Sequence, residues 1–177
     1  MSRERIINQT KQLLKDSLME LLADKALAKI TVKELCEKAD INRTTYYKYY
    51  IDIYDQMDKI ENEIISDMLI KMDGITGKNV NDRESRLLII TKILEYIESR
   101  KEEFKILLEK SELNFQYKLL SVIGEKIFEK LNAHNQKDAF RYIYIVNGSY
   151  GIIREWLKGN IDMDVIALAK ELEEYIK

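Results

Sequence analysis

Between Arg3 and Lys25 the apolar positions Leu14, Leu18, Leu21 and Leu22, with Thr10 one step earlier, recur three or four residues apart and predict an amphipathic first helix. Val32, Leu35, Cys36 and Ala39 repeat that spacing, leave Lys33, Glu37 and Lys38 on the other side, and predict a short second helix. Thr31-Val32-Lys33-Glu34 marks its start, because Thr31 can cap the amide of Glu34 while the Glu34 carboxylate reaches back to the Thr31 amide. Asp40 interrupts the run. An interruption there calls for left-handed backbone, which Asp adopts more readily than most residues and less readily than Gly. Asn42 then caps a third helix. Helical residues advance by about 100°, so Tyr46, Tyr49 and Tyr50 fall on one arc and Arg43, Thr44, Tyr47 and Lys48 on the opposite one. Asp52, three residues ahead of Asp55, caps a fourth helix that runs to about Met72 without Gly or Pro.

The segment 73–82, DGITGKNVND, is the first clear loop. Beyond it the pattern predicts helices over 83–99, 102–110, 113–132, 136–158 and 163–176, with no competing strand signal, no repeat and no proline. The chain is therefore all-α, of about nine helices. Gly148 and Gly151 lie inside the helix that ends near Trp156, where each costs about 1 kcal/mol relative to Ala. Close approach of another backbone would offset that cost. Together with the wide apolar face of the last helix, this predicts a four-helix bundle made of two helices from each of two chains. Its interface residues are Gly148, Gly151, Ile152, Trp156, Val165, Leu168, Leu172 and Tyr175, and the alternative is burial of the same residues within one protomer.

Two short helices joined by a tight turn read as a helix-turn-helix, and the outward arc of its second helix carries a guanidinium, hydroxyls, a phenol and an ammonium without a carboxylate. Such a face suits phosphates and base edges in a major groove. The stretch ITVKELCEKADINRTTYYKYY and its continuation IDIYDQM resemble the TetR/AcrR family of transcriptional regulators over Ile7 to Met57, and the tail GSYGIIREWLKGN is similar to the penultimate helix of that family's regulatory domain. Two positions depart from the family pattern. Asp40 stands where many members have Gly, and Ile53 where many have a lysine that meets a phosphate at the start of the fourth helix.

The resemblance implies a DNA-binding domain at residues 1–52 with three helices and a ligand-sensing, dimerising helical domain at 53–177. A recognition helix enters the groove by its N-terminal residues, so Arg43, Thr44 and Thr45 are expected at bases, and Thr31, Lys33, Tyr47, Lys48 and Tyr49 at phosphates. The expected activity is repression from a palindromic duplex operator by a homodimer, ended by a small apolar or aromatic ligand. IDIYDQM also resembles a branch of the family some of whose members act with protein partners, so the second reading is an adaptor or co-regulator whose C-terminal domain binds a protein.

Composition narrows the field without changing it. With 177 residues and 46% hydrophobic content the chain can bury a sizeable core. The net charge of −2 conceals an asymmetry: residues 1–50 carry a balance of +3 and the remainder −5. The polar start Met1-Ser2-Arg3-Glu4-Arg5 has no secretory character and no apolar run approaches the roughly 18 residues of a membrane span, so the expected location is the cytoplasm and no membrane contact is expected. Cys36 is the single cysteine and sits on a packed face, a core role in preference to a redox one; His134 is the single histidine, and no metal or other cofactor is expected. No catalytic arrangement of Ser/His/Asp, Cys/His or phosphate-cradling glycines is present, which argues against an enzyme. Met68, Met72, Phe104, Phe115 and Tyr144 are candidates for the wall of an apolar ligand cavity, and serve equally well as plain core.

Overall fold

The amphipathic runs become helices wherever the computed structural model describes the chain, at residues 3–73, 82–110, 115–121 and 136–176. They are α1 (Arg3–Asp24), a 3-10 turn (Leu27–Lys29), α2 (Val32–Ala39), α3 (Arg43–Tyr46), α4 (Ile53–Asp73), α5 (Arg83–Ser99), α6 (Lys101–Lys110), α7 (115–121), α8 (Gln136–Leu157) and α9 (Val165–Ile176). No strand occurs among the described residues. Most of the expected loop at 73–82 and the second half of the expected 113–132 helix lie outside them.

The leucine stripe of α1 does what its spacing requires: Leu14, Leu18 and Leu22 are fully buried and cover Leu35 and Cys36 of α2. Thr31 accepts the Glu34 amide at 3.2 Å, as expected, but the return half of the capping box is absent. The Glu34 carboxylate pairs instead with Lys25, because the turn after α1 brings an ammonium alongside and a charged donor outweighs an amide. At the end of α2, Asp40 is left-handed, with φ 53° and ψ 42°.

α4 supplies the longest internal seam. Ile53, Met57, Ile60, Ile64 and Met68, spaced by three and four, are all buried, the first three against the helix-turn-helix and the last two toward α5. Gln56, on the same helix and fully buried, donates through Nε2 to the Leu14 carbonyl at 3.0 Å, so α4 is also hydrogen-bonded to α1. The apolar cluster runs from Leu14 to Leu172 and so joins the N-terminal and C-terminal helices. α5 packs most extensively on α9. α8 ends at Gly159, whose φ of 83° lets the Asn160 amide reach back to the Glu155 carbonyl at 3.0 Å and turns the chain into α9.

One buried carboxylate fastens that last helix. Glu173, fully buried on α9, takes Arg83 Nε on Oε2 at 2.8 Å and Arg86 Nη2 on Oε1 at 2.7 Å, so both ends of the carboxylate are held by the first turn of α5. The hydrogen bond from Arg83, joined by that from Arg86, holds Glu173 below the usual carboxylate range against the opposing effect of its burial.

Two outcomes follow from this packing. Asp40→Gly relieves the left-handed position and raises stability by up to about 1 kcal/mol in denaturant titrations. Glu173→Gln lowers the melting temperature at pH 7. Because the folded-state pKa of Glu173 is depressed, its contribution is present above the unfolded value of about 4.3 and is lost as pH falls through the folded value. The gap in melting temperature between variant and wild type therefore closes on acidification below that point.

Candidate nucleic-acid interface and apolar cavity

Asn42 starts α3 by accepting the Thr44 amide on Oδ1 at 2.8 Å. The helix itself is a single turn, shorter than the arc pattern implied. It continues as a tightened turn in which the Lys48 amide reaches Thr45 and the Tyr49 amide reaches Tyr46. The two arcs survive that tightening. Tyr46 and Tyr50 are buried and Tyr49 is half-buried, while Arg43, Thr44, Tyr47 and Lys48 are exposed. Tyr46 packs edge-on against Tyr47 and at a tilt against Tyr50, which fixes the outward face from behind. Burial pushes the Tyr50 phenol up to about 12 and the Tyr46 phenol higher still, so both stay neutral. Burial likewise raises the Cys36 thiol, against the pull of Arg43, which leaves it a protonated core residue.

The chain after α3 is tied to α4 at three points. Asp52 caps α4 by accepting the Asp55 amide at 2.8 Å, Asp55 in turn accepts the Ile51 amide at 2.9 Å, and Lys59 Nζ bridges Asp55 at 2.8 Å and the Tyr49 carbonyl at 3.0 Å. The Lys59 hydrogen bond, with that of Ile51, holds Asp55 below its ordinary range. Lys59 also stands over the Tyr50 ring, 5.4 Å from its centroid. A cation at the carbonyl end of the α3 turn is the favourable sign for a helix C-terminus.

Six of the eight residues expected at DNA, namely Thr31, Lys33, Arg43, Thr44, Tyr47 and Lys48, are exposed, and Thr45 and Tyr49 are half-buried. Neither Arg43 nor Lys48 has an ion-pair partner among the described residues. The start of α1 joins them: Arg3, Ile6 and Ile7 form a groove with Lys48 and Tyr49, and Lys11 Nζ lies 5.8 Å from the Tyr49 ring centroid. Ile53 is buried at the first turn of α4 and offers no cation there.

A second feature lies among α4 to α9. Met68, Ile93, Phe104, Leu119, Val146 and Leu172 are among the residues that enclose an apolar cavity of about 150 Å³. Of the residues expected at such a wall, Met68 and Phe104 are there. Phe115 is fully buried behind Phe104, at 5.8 Å between ring centroids, and does not line the cavity. Tyr144 is corrected outright: it is 79% exposed, because Val146, Ser149 and Ile153 take the inward side of α8. Met72 falls outside the residues whose side chains are described. The isoleucines of α5 were missed; their run Leu87-Leu88-Ile89-Ile90 carries no clean period, and only the neighbouring helices show which side is inward.

The residues expected at a bundle interface divide in two. Trp156, Val165, Leu168 and Leu172 are buried within the protomer and are withdrawn from that role. Trp156 donates its indole N–H to the Met163 carbonyl at 2.8 Å, and Leu172 faces the cavity. Gly148, Gly151, Ile152 and Tyr175 remain outward or half-outward, and the exposed Phe140, Ile143, Tyr144 and Ile166 extend the apolar surface beyond them. Among the described residues a Cβ on Gly148 or Gly151 would meet nothing within 4 Å, so their packing gives no reason for either glycine.

No curated protein matches the chain. Its overall structure is similar to that of a TetR transcriptional regulator from Streptococcus agalactiae (TM-score 0.71, 19% identity, covering 99% of this chain and 97% of that one). It is similar also to a TetR-like transcriptional regulator from Rhodococcus sp. (TM-score 0.70, 16% identity, 94% and 93% covered). A third likeness is to the fatty acid degradation regulator FadR from Bacillus halodurans (TM-score 0.64, 14% identity, 94% of each chain covered). At these identities the likeness establishes the fold. A TetR-type family described as the transcriptional regulator C-terminal region matches residues 84–177, more than half of the sequence, and with it the chain belongs to the TetR family of transcriptional regulators.

Proposed function

We propose that the protein is a repressor that binds a palindromic operator as a homodimer and leaves it when a small apolar molecule fills the cavity. The observation that carries this reading is that the cavity wall and the DNA-binding helices are joined by charged side chains one residue away from the wall. On α6, Phe104 faces the cavity and the adjacent Glu103 pairs at 2.8 Å with Lys15 of α1, itself 6% exposed. On α7, Leu119 and Leu120 face the cavity and the adjacent Lys118 holds Asp58 and, at 2.6 Å, the buried Glu61 of α4. Burial works against the Lys118 ammonium, but its hydrogen bonds to Asp58 and Glu61 outweigh this and raise its pKa.

A molecule that moves α6 or α7 therefore moves α1 or α4, and α4 carries the turn after α3 through Lys59 and Asp55. In a two-fold dimer two recognition helices must meet half-sites about 34 Å apart or a multiple of it. A change in their separation loses contacts on DNA of fixed pitch, so the ligand and the operator oppose one another by the same factor in both directions. The outward glycines and aromatics of α8 and α9 are the surface for the second copy, and residues 1–52 and 53–177 are the DNA-binding and sensing parts. The activity is regulatory and not enzymatic, and its site of action is the cytoplasm.

Selection of bound duplexes from a random pool identifies the operator, and the absence of any selected palindrome overturns the reading. On that operator, Arg43→Ala relaxes base preference and costs about 1–3 kcal/mol, while Lys48→Ala weakens all sequences alike and reduces the salt dependence by about one ion. Lys118→Met keeps operator binding in the ligand-free state. Its ligand response shrinks from the roughly 5- to 150-fold usual for allosteric coupling toward none, as read by fluorescence anisotropy with and without ligand.

A further inference from the structure

We infer that the cavity accepts a compact, uncharged, hydrocarbon-like molecule of the size of benzene or toluene, and rejects carboxylates and other ions of equal size. This rests on the reading above that the cavity is a ligand site, and it specifies the chemistry of the occupant.

Size sets the first limit. A cavity of about 150 Å³ enclosed by Leu, Ile and Phe side chains is the volume that holds one benzene ring.

Polarity sets the second. Ser149 and Tyr150 are the hydroxyl-bearing residues among those at the wall, every other one of which is aliphatic, aromatic or Met, so an ion entering the cavity would lose its hydration and gain no partner. Among the described residues, four basic groups close in sequence to the wall are already engaged. Arg86, one turn before the lining Ile89 and Ile90, and Arg83, about two turns before them, are held by Glu173. Arg100, one turn beyond Ile97, is held by Glu103 and by the Tyr96 hydroxyl. Lys118, beside Leu119, is held by Asp58 and Glu61. A carboxylate ligand would compete with an internal carboxylate for each of these cations, whereas a neutral ring needs only the apolar wall.

The test uses the full chain with toluene and with benzoate, two probes of nearly equal shape that differ by one charge. Toluene at ten times its Kd raises the melting temperature by roughly 3–6 °C, and benzoate leaves it unchanged. Val146→Phe and Ile153→Phe, each of which fills the cavity from α8, remove the toluene shift; either variant that melts cooperatively without ligand suffices. Stabilisation by benzoate equal to that by toluene, no stabilisation by toluene, or an undiminished toluene shift in a folded filled variant overturns the proposal. Operator affinity separates it from the reading beneath it. Toluene that binds without weakening operator binding leaves the ligand class standing and removes ligand release; benzoate that binds and releases operator does the reverse.

Discussion

The buried seam of α4 is the constraint on which everything else in this protein depends. Its N-terminal half closes the core of the helix-turn-helix through Ile53, Met57 and Ile60, and its C-terminal half enters the second core through Ile64 and Met68, one of the cavity residues. A helix with Gln56 and Glu61 also buried along the same side has no hydrated stretch at which it could bend cheaply. The two halves of the molecule therefore share one apolar cluster, and displacement at one end is felt at the other as lost packing.

Charged groups complete what the apolar contacts leave undetermined. Leu and Ile faces tolerate sliding, since one aliphatic surface resembles another; the pairs Lys15–Glu103 and Lys118–Glu61 do not, because an ammonium moved off its carboxylate in a buried setting loses far more than a methyl group moved by the same distance. Their net contribution to stability is small after desolvation. Their contribution to register between α1 and α6, and between α4 and α7, is the larger one. Glu173 has the same role for α9, where two arginines from α5 determine how the last helix closes over the cavity.

Local chemistry was legible in the sequence and long-range chemistry was not. The caps at Thr31, Asn42 and Asp52, the left-handed Asp40, and the division of the α3 tyrosines into inward and outward sets all depend on residues fewer than five apart, and the chain reads them directly. Glu34 was misread because its true partner, Lys25, lies nine residues earlier and across a turn. Tyr144 and Val146 could not be told apart by period alone, since α8 is apolar nearly all round and only the positions of α5 and α9 decide which side is inside. Trp156, Val165, Leu168 and Leu172 were assigned to an interface for the same reason: a wide apolar face shows that something covers it, not whether the cover is the same chain. The ion pairs between distant helices had no local signal at all, with partners such as Arg83 and Glu173 ninety residues apart.

The burial of the internal ion pairs has a further consequence for how such a protein experiences its surroundings. Arg43 and Lys48 are exposed, so whatever their charges attract is screened as ionic strength rises. Lys15 and Glu103, with side chains 8% and 15% exposed, are out of reach of the same mobile ions. Rising salt therefore acts on the outward charges of the helix-turn-helix and spares the ion pairs of the dry interior, so the two layers of charge in one small chain answer differently to the same change in their surroundings.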